Sequence, residues 1–237
     1  MKKTPAAAPG RLVVGIETST VHGGVALVST TGELLGEITL RNLESHAERL
    51  LPALEWLLAT LGLSLSQCAA VAVSQGPGSF TGLRAGIATA KGLAFSLAVP
   101  LFGFPTLDIL AANAPPDEQT ICTLLNARRG EVFRAFFRRG DAGEQHRDPD
   151  GLVSLASLAG ELPAGCLVIG EPPPSWSAQL PAGHGVRFGP SHLNHPRAAV
   201  VAAFGSAALA AGRDSELETL MPRYIRPFDA VASCPKP

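Results

Sequence analysis

The residues of this chain that most suggest chemistry lie in one stretch, Gly76-Pro77-Gly78-Ser79-Phe80-Thr81-Gly82-Leu83-Arg84. A glycine-rich turn between an apolar strand and a helix is a ready place for a phosphate, held by backbone N–H groups at the helix N-terminus. The spacing fits neither common cradle. A dinucleotide turn has glycines at relative positions one, three and six, and here the third comes one residue late, at Gly82. A P-loop ends in Gly-Lys followed by Ser or Thr, a run this chain lacks. A hydrolase elbow is Gly-x-Ser-x-Gly on a strand-to-helix turn; Ser79 stands one residue out of place for it, and no His-Glu-x-x-His occurs. Peptidase activity is not expected, and no residue is assigned as catalytic.

Other reactive residues are scattered. Cys68, Cys122, Cys166 and Cys234 form no Cys-x-x-Cys pair, which argues against a zinc site and against a disulfide framework and for reduced thiols. His192 and His195 lie just before Pro196 without an acidic or thiol partner nearby in sequence, so no metal site is expected. Glu17-Thr18-Ser19, after the first apolar run, could be the relic of a first phosphate turn. Arg128, Arg129, Arg134, Arg138 and Arg139 make one local basic cluster. Arg134 and Arg138 are candidates to touch a nucleic-acid phosphate backbone. An ordinary solvated face, with Glu131, Asp141 and Glu144 as neighbours, explains the same residues.

The elements that must carry these residues follow from composition and periodicity. A chain of 237 residues, 46% hydrophobic and 16% charged, can hold one large domain or two small ones with a real core. Its net charge of −1 provides no global basic field for nucleic acid. The first ten residues lack the apolar run of a signal peptide, and no stretch reaches membrane-span length; a cytoplasmic protein without membrane association is expected.

Leu12 to Ile16, Gly23 to Ser29 and Glu33 to Leu40 read as an antiparallel meander, with Thr31-Gly32 as a hairpin turn. Ser45 and Glu48 form a capping box for a helix carrying Leu50, Leu51, Leu54, Leu57, Leu58 and Leu61. So broad a stripe predicts burial on two sides. A strand over Ala69 to Val73, the glycine loop, a helix capped by Thr81 and a strand over Leu97 to Phe102 follow. That helix is rich in small residues, among them Gly82, Ala85, Gly86, Ala88, Thr89 and Ala90. Each interior glycine costs roughly 1 kcal/mol relative to alanine, so another element must approach closely. That element is either the sheet beneath or a second helix, possible also from another chain.

Past Pro105 come a short helix (Leu107 to Ala112), Pro115-Pro116, strands over Thr120 to Leu125 and Glu131 to Phe137, and a weak helix over Leu152 to Ala159. A strand over Cys166 to Ile169 and a helix over Arg197 to Ala211, with Pro196 in its first turn, complete the pattern. A meander followed by alternating helices and strands is the half-domain plan of ribonuclease-H-like and actin-like folds. The expected division is a tail (1–10), an N-terminal subdomain (11–112), a smaller C-terminal subdomain (113–230) whose last helix is free to pack back on the first, and a tail (231–237).

Several blocks together resemble one family. Ile16-Glu17-Thr18-Ser19-Thr20, Ser45-His46-Ala47-Glu48-Arg49-Leu50-Leu51-Pro52, Gly76 to Arg84, Ala88-Thr89-Ala90-Lys91-Gly92-Leu93-Ala94, Asn126-Ala127-Arg128-Arg129-Gly130-Glu131-Val132 and Pro222-Arg223-Tyr224-Ile225-Arg226 are similar to TsaB (YeaZ) proteins. Glu17 and Asn126 stand where the family usually has Asp.

The resemblance implies an α/β, actin-like (ASKHA, ribonuclease-H-like) fold of two subdomains, each with a mixed sheet flanked by helices. It implies a non-catalytic dimerization subunit for tRNA processing: a scaffold and activator of the TsaD-like catalytic subunit that makes threonylcarbamoyladenosine (the t6A modification) in tRNA. A TsaE-like ATPase joins that complex, and TsaC supplies threonylcarbamoyl-adenylate. TsaD-like proteins hold a metal with two histidines four residues apart; Thr106 and Leu110 stand there in this chain. ATP and metal are therefore expected in the partner subunits, no cofactor here, and tRNA only through the complex.

In the family two N-terminal helices pack with TsaD, or with a second copy as a homodimer. The expected partner interface is His46, Leu51, Leu54, Leu58, Gly82, Arg84, Gly86, Thr89 and Ala90. A different reading is a small actin-fold ATPase or kinase-like enzyme acting alone, which needs phosphate loops in both halves. A third is a free-standing regulatory homodimer using the same helices.

Overall fold

Leu12-Val13-Val14-Gly15-Ile16 is apolar without a break, the pattern of a strand covered on both faces, and it becomes the middle strand of a sheet. The computed structural model describes residues 11–41, 47–140, 145–172, 176 and 185–225. In the first sheet, β1 (Leu12–Glu17), β2 (His22–Ser29), β3 (Leu34–Arg41), β4 (Cys68–Gly76) and β5 (Leu101–Pro105) stand in the order β3-β2-β1-β4-β5. The meander is antiparallel, and β4 and β5 join it in parallel.

Successive residues of a strand face opposite sides of the sheet, and the two sides are covered differently. Leu12, Val14 and Ile16 meet α1 (Ala47–Leu61) and α2 (Phe80–Leu97) through Leu50, Leu54, Leu57, Leu58, Ile87, Ala90 and Ala94. Val13 meets α5 (Ala198–Ala210), the last helix, through Val201 and Ala208. Small residues let α5 lie close to the strands: a methyl group on Gly205 would stand 2.6 Å from the Cβ of Ala72.

The second sheet has the order β11-β10-β6-β7-β8, built from β6 (Thr120–Arg128), β7 (Glu131–Arg139), β8 (Gln145–Arg147), β10 (Leu167–Gly170) and β11 (Arg187–Phe188). β9 (Gly151–Ser154) pairs separately with β7. Between the sheets runs α3 (Thr106–Ala111), which turns Leu107 and Leu110 into the second core and Ile109 into the first. A helix α4 (Leu155–Glu161) covers the other face of the second sheet through Leu158.

The strand expected over Leu97 to Phe102 begins only at Leu101, because α2 runs on to Leu97, and three further expectations change. α2 starts earlier than expected, because Ser79 rather than Thr81 caps it, its hydroxyl accepting from Gly82 N at 3.2 Å. The stretch expected as one helix over 152–159 is split: Leu152 and Val153 pair with β7, and Ser154 caps α4 by accepting from Ser157 N. Pro196 lies outside α5, before an N-cap residue, Arg197, that is still extended. Ser45, expected to open α1, lies outside the described residues.

A chain of alternating charges joins the two sheets. Asp108 on α3 accepts from Arg147 Nε at 2.6 Å, and Arg147 Nη2 reaches Asp150 Oδ1 at 2.5 Å. Asp150 Oδ2 lies 2.8 Å from Arg223 Nη2, an ion pair whose angles are too poor for a hydrogen bond. Arg223 N also donates to Gln75 O of β4 at 2.6 Å. The Asp150 side chain is buried between two half-exposed arginines. Asp150→Ala leaves both guanidiniums facing an apolar gap and should lower unfolding stability by about 1–3 kcal/mol. A urea titration checks this; an unchanged midpoint would mean that these charges do not hold the sheets together.

Candidate functional site

The first turn is where an actin-like protein would begin a phosphate site, and here its groups are committed within the chain. Glu17, at the end of β1, and Thr18 and Ser19 after it are all buried. Glu17 Oε1 accepts from both Ser19 N and Ser19 Oγ at 2.5 Å. Thr18 N reaches Ser74 Oγ at 3.5 Å, the limit of a hydrogen bond. Glu17 Oε2 and Thr18 Oγ1 have no hydrogen-bond partner among the described residues. Burial pushes the Glu17 carboxyl up to about 7, against the opposing bonds from Ser19 and Ser74.

The lid on this turn is α2. A methyl group at Gly82 would overlap the Thr18 carbonyl, and one at Gly86 would overlap Thr18 Oγ1. Ser79 N donates to Ser19 O at 2.7 Å. The small-residue face of α2 is thus pressed against the end of β1, inside the same chain. A phosphate would need exposed donors at this turn, and Glu17, Thr18 and Ser19 offer none. These residues do not fit a nucleotide.

The remaining candidates are equally engaged. Thr106 and Leu110 are fully buried, Leu110 among the apolar residues of the second core. Among the described residues no group of three or more His, Cys, Asp or Glu side chains could hold a metal ion. The His195 ring stacks on His22 with centroids 4.7 Å apart. Cys68, Cys122 and Cys166 are buried free thiols, and burial pushes Cys166 up to about 12, away from the reactive thiolate. Arg134 pairs with Glu161 at 2.9 Å and lies over the Phe136 ring, and Arg138 pairs with Asp148 at 3.3 Å. Their charges are offset by carboxylates other than those that their sequence neighbourhood suggested.

Of the expected partner residues, His46 lies outside the described residues. Leu54, Leu58, Gly82, Gly86 and Ala90, expected at the interface, point into the molecule and are core positions instead. The leucine stripe of α1, expected to be buried on two sides, packs on the sheet. Thr89 is half-buried, while Leu51 and Arg84 are exposed. Leu61, expected in the core face, is 38% exposed at the end of α1 with its side chain against Gly36 of β3.

The outward faces carry other apolar residues. Trp56 of α1 is 61% exposed and Phe95 of α2 is 79% exposed. The signal for them was available: once Leu50, Leu54, Leu57 and Leu58 fix the buried stripe, Trp56 falls off it. At the start of α2, Phe80 stacks on Tyr224 with centroids 5.2 Å apart, and the Arg84 guanidinium lies 4.2 Å over Phe80. No helix among the described residues is long and apolar enough to cross a membrane.

Two mixed sheets, helices on both faces of the first, and a helix between them define an actin-like α/β protein. A family model described as "TsaD: tRNA N6-adenosine threonylcarbamoyltransferase" matches residues 33–165. The Bacillus subtilis protein named tRNA threonylcarbamoyladenosine biosynthesis protein TsaB is 28% identical over 225 residues, covering 93% of this chain and 96% of its own length. The Escherichia coli protein of the same name is 34% identical over 151 residues, 63% of this chain and 64% of its own. The solved structure of YeaZ from Pseudomonas aeruginosa matches with a TM-score of 0.77 and 27% identity, over 91% of this chain and 100% of that one. The chain belongs to the TsaB (YeaZ) family, within the wider group that the TsaD model describes.

Two outcomes follow from the closed turn. A carboxyl that is raised in the folded state stabilises fully below its unfolded value of about 4.5, and that stability is lost as pH rises towards about 7. Glu17→Gln removes the ionisation, so the variant should gain on the wild type by up to about 3 kcal/mol between pH 5 and pH 8. Parallel melting curves across that range would contradict this. Gly86→Ala should destabilise by about 1–3 kcal/mol, and Thr18→Ala in the same chain should recover part of it. Additive losses in denaturant titrations would show that the two residues do not meet.

Proposed function

We propose that this chain is a non-catalytic scaffold and activator in threonylcarbamoyladenosine biosynthesis, binding a TsaD-like catalytic subunit through the outer faces of α1 and α2. The observation that carries this reading is the aromatic surface left exposed on one helical layer: Trp56 on α1 and Phe95 on α2. Large aromatic side chains left in solvent mark an interaction surface, and aromatic residues supply much of the binding energy at such surfaces. The closed first turn supports the non-catalytic role, since Glu17 and Ser19 are bonded to each other.

In this reading ATP and metal are handled by the TsaD-like subunit and a TsaE-like ATPase. The chain needs no cofactor, tRNA engages through the assembled complex, and in the absence of the partner a second copy covers the same face. The reading rests on α1 and α2 as an outward layer, the inward stripe having been claimed by the sheet.

Trp56→Glu and Phe95→Glu should each weaken association with the TsaD-like subunit by at least about 30-fold, the range of an interface hot spot. Both side chains are solvent-exposed, so the melting temperature of the isolated chain should be unchanged. Light scattering of the mixed proteins, with threonylcarbamoyladenosine formation measured in parallel, decides the matter. Full association by both variants would refute this face. No association by the wild-type chain would refute the scaffold role.

A further inference from the structure

Along one edge of the outward layer, α2 and the C-terminal stretch enclose a groove of about 280 Å³. One wall is Arg84, Ile87 and Lys91 of α2, and the other is Met221, Pro222 and Tyr224. Residues 84, 87 and 91 share a helical face, which places Arg84 and Lys91 about 10 Å apart along the axis.

The two cations differ from seven arginines elsewhere in the chain. Arg134, Arg138, Arg147, Arg187, Arg197, Arg213 and Arg223 each pair with a carboxylate. Among the described residues neither Arg84 nor Lys91 does so; Lys91 Nζ reaches only the Glu218 carbonyl at 3.4 Å. Arg84 is nonetheless held in place. Its Nε donates to Tyr224 Oη at 3.3 Å and its guanidinium lies over Phe80, which stacks on Tyr224. Both of its Nη groups are left without a hydrogen-bond partner among the described residues. A guanidinium fixed on an aromatic platform loses little freedom when it accepts a carboxylate, and it presents the fork that carboxylates fit.

We infer that this groove receives an acidic segment of the protein partner: an apolar side chain on Ile87 and Met221, flanked by carboxylates on Arg84 and Lys91. The inference rests on the scaffold reading above and names the chemistry of its partner at one edge of the face. A polyanionic backbone is disfavoured as the occupant. The chain carries a net charge of −1, and the groove floor is apolar, so no basic field surrounds the two cations.

The test is the affinity of the purified chain for the TsaD-like subunit by calorimetry, at 50 and 300 mM salt (round values, about a twofold change in screening length). Arg84→Gln and Lys91→Gln should each weaken binding by about tenfold at low salt and flatten the salt dependence, since each removes one charge pair. Tyr224→Phe, which only frees Arg84, should weaken it by about two- to threefold with the salt slope kept. Trp56→Ala should weaken binding with no change in slope. Thermal melts of each variant separate misfolding from lost contact, because all four side chains are at least partly exposed.

If the wild-type chain associates and the Arg84 and Lys91 variants match it in affinity and slope, the acidic occupant is wrong and the scaffold stands. If the wild-type chain does not associate, the scaffold reading fails and this inference with it. Variants impaired only in tRNA anisotropy, or only in self-association, would replace the acidic segment by a phosphate backbone or a second copy and overturn it.

Discussion

The structure depends on how closely α2 can lie over the end of β1. Two glycines one turn apart remove the side chains that would hold the helix away, and Thr18 fills the space they leave. This contact closes the first turn and fixes the rotation of α2 about its own axis. The residues that α2 shows to solvent follow from it. Each interior glycine weakens the helix by roughly 1 kcal/mol relative to alanine. Here that penalty is offset by burial of Leu83, Ile87, Ala90 and Ala94 against the sheet.

Closing the turn also settles the state of Glu17. An isolated carboxylate is poorly solvated in a buried site, and the two Ser19 donors converge on a single oxygen, leaving the other without a partner among the described residues. The carboxyl is therefore held partly protonated near neutral pH by its surroundings. In an enzyme such a group invites a catalytic role. Here it is bonded within its own turn, with no exposed surface through which a substrate could meet it.

The actin-like plan was legible in the sequence because its signals are local: an unbroken apolar strand, a hairpin turn and leucines at helical spacing. The inward side of each helix was legible as a stripe, but its direction was not. Leu54 and Leu58 satisfy the same periodicity whether a sheet or a partner covers them, and only the packing decides. The capping error at Thr81 has the same origin, since Ser79 and Thr81 are both good caps and the loop geometry chooses between them. Arg134 and Arg138 read as a free basic cluster because Glu161 and Asp148 stand 27 and 10 residues away. The platform under Arg84 joins residues 140 apart, beyond any local pattern.

The last described residues belong to the first sheet as much as to the second. α5 covers β1, β2 and β4, Leu220 enters the first core, Ile225 packs on the second, and Arg223 donates to β4. On the ribosome, chains gain structure from the N-terminus onward, but here one face of the first sheet stays bare until residues 198–225 have been made. Its strands must wait with Val13, Ala70 and Ala72 uncovered, and the contacts that finish it are among the longest in the chain. The half that is synthesised first is completed last.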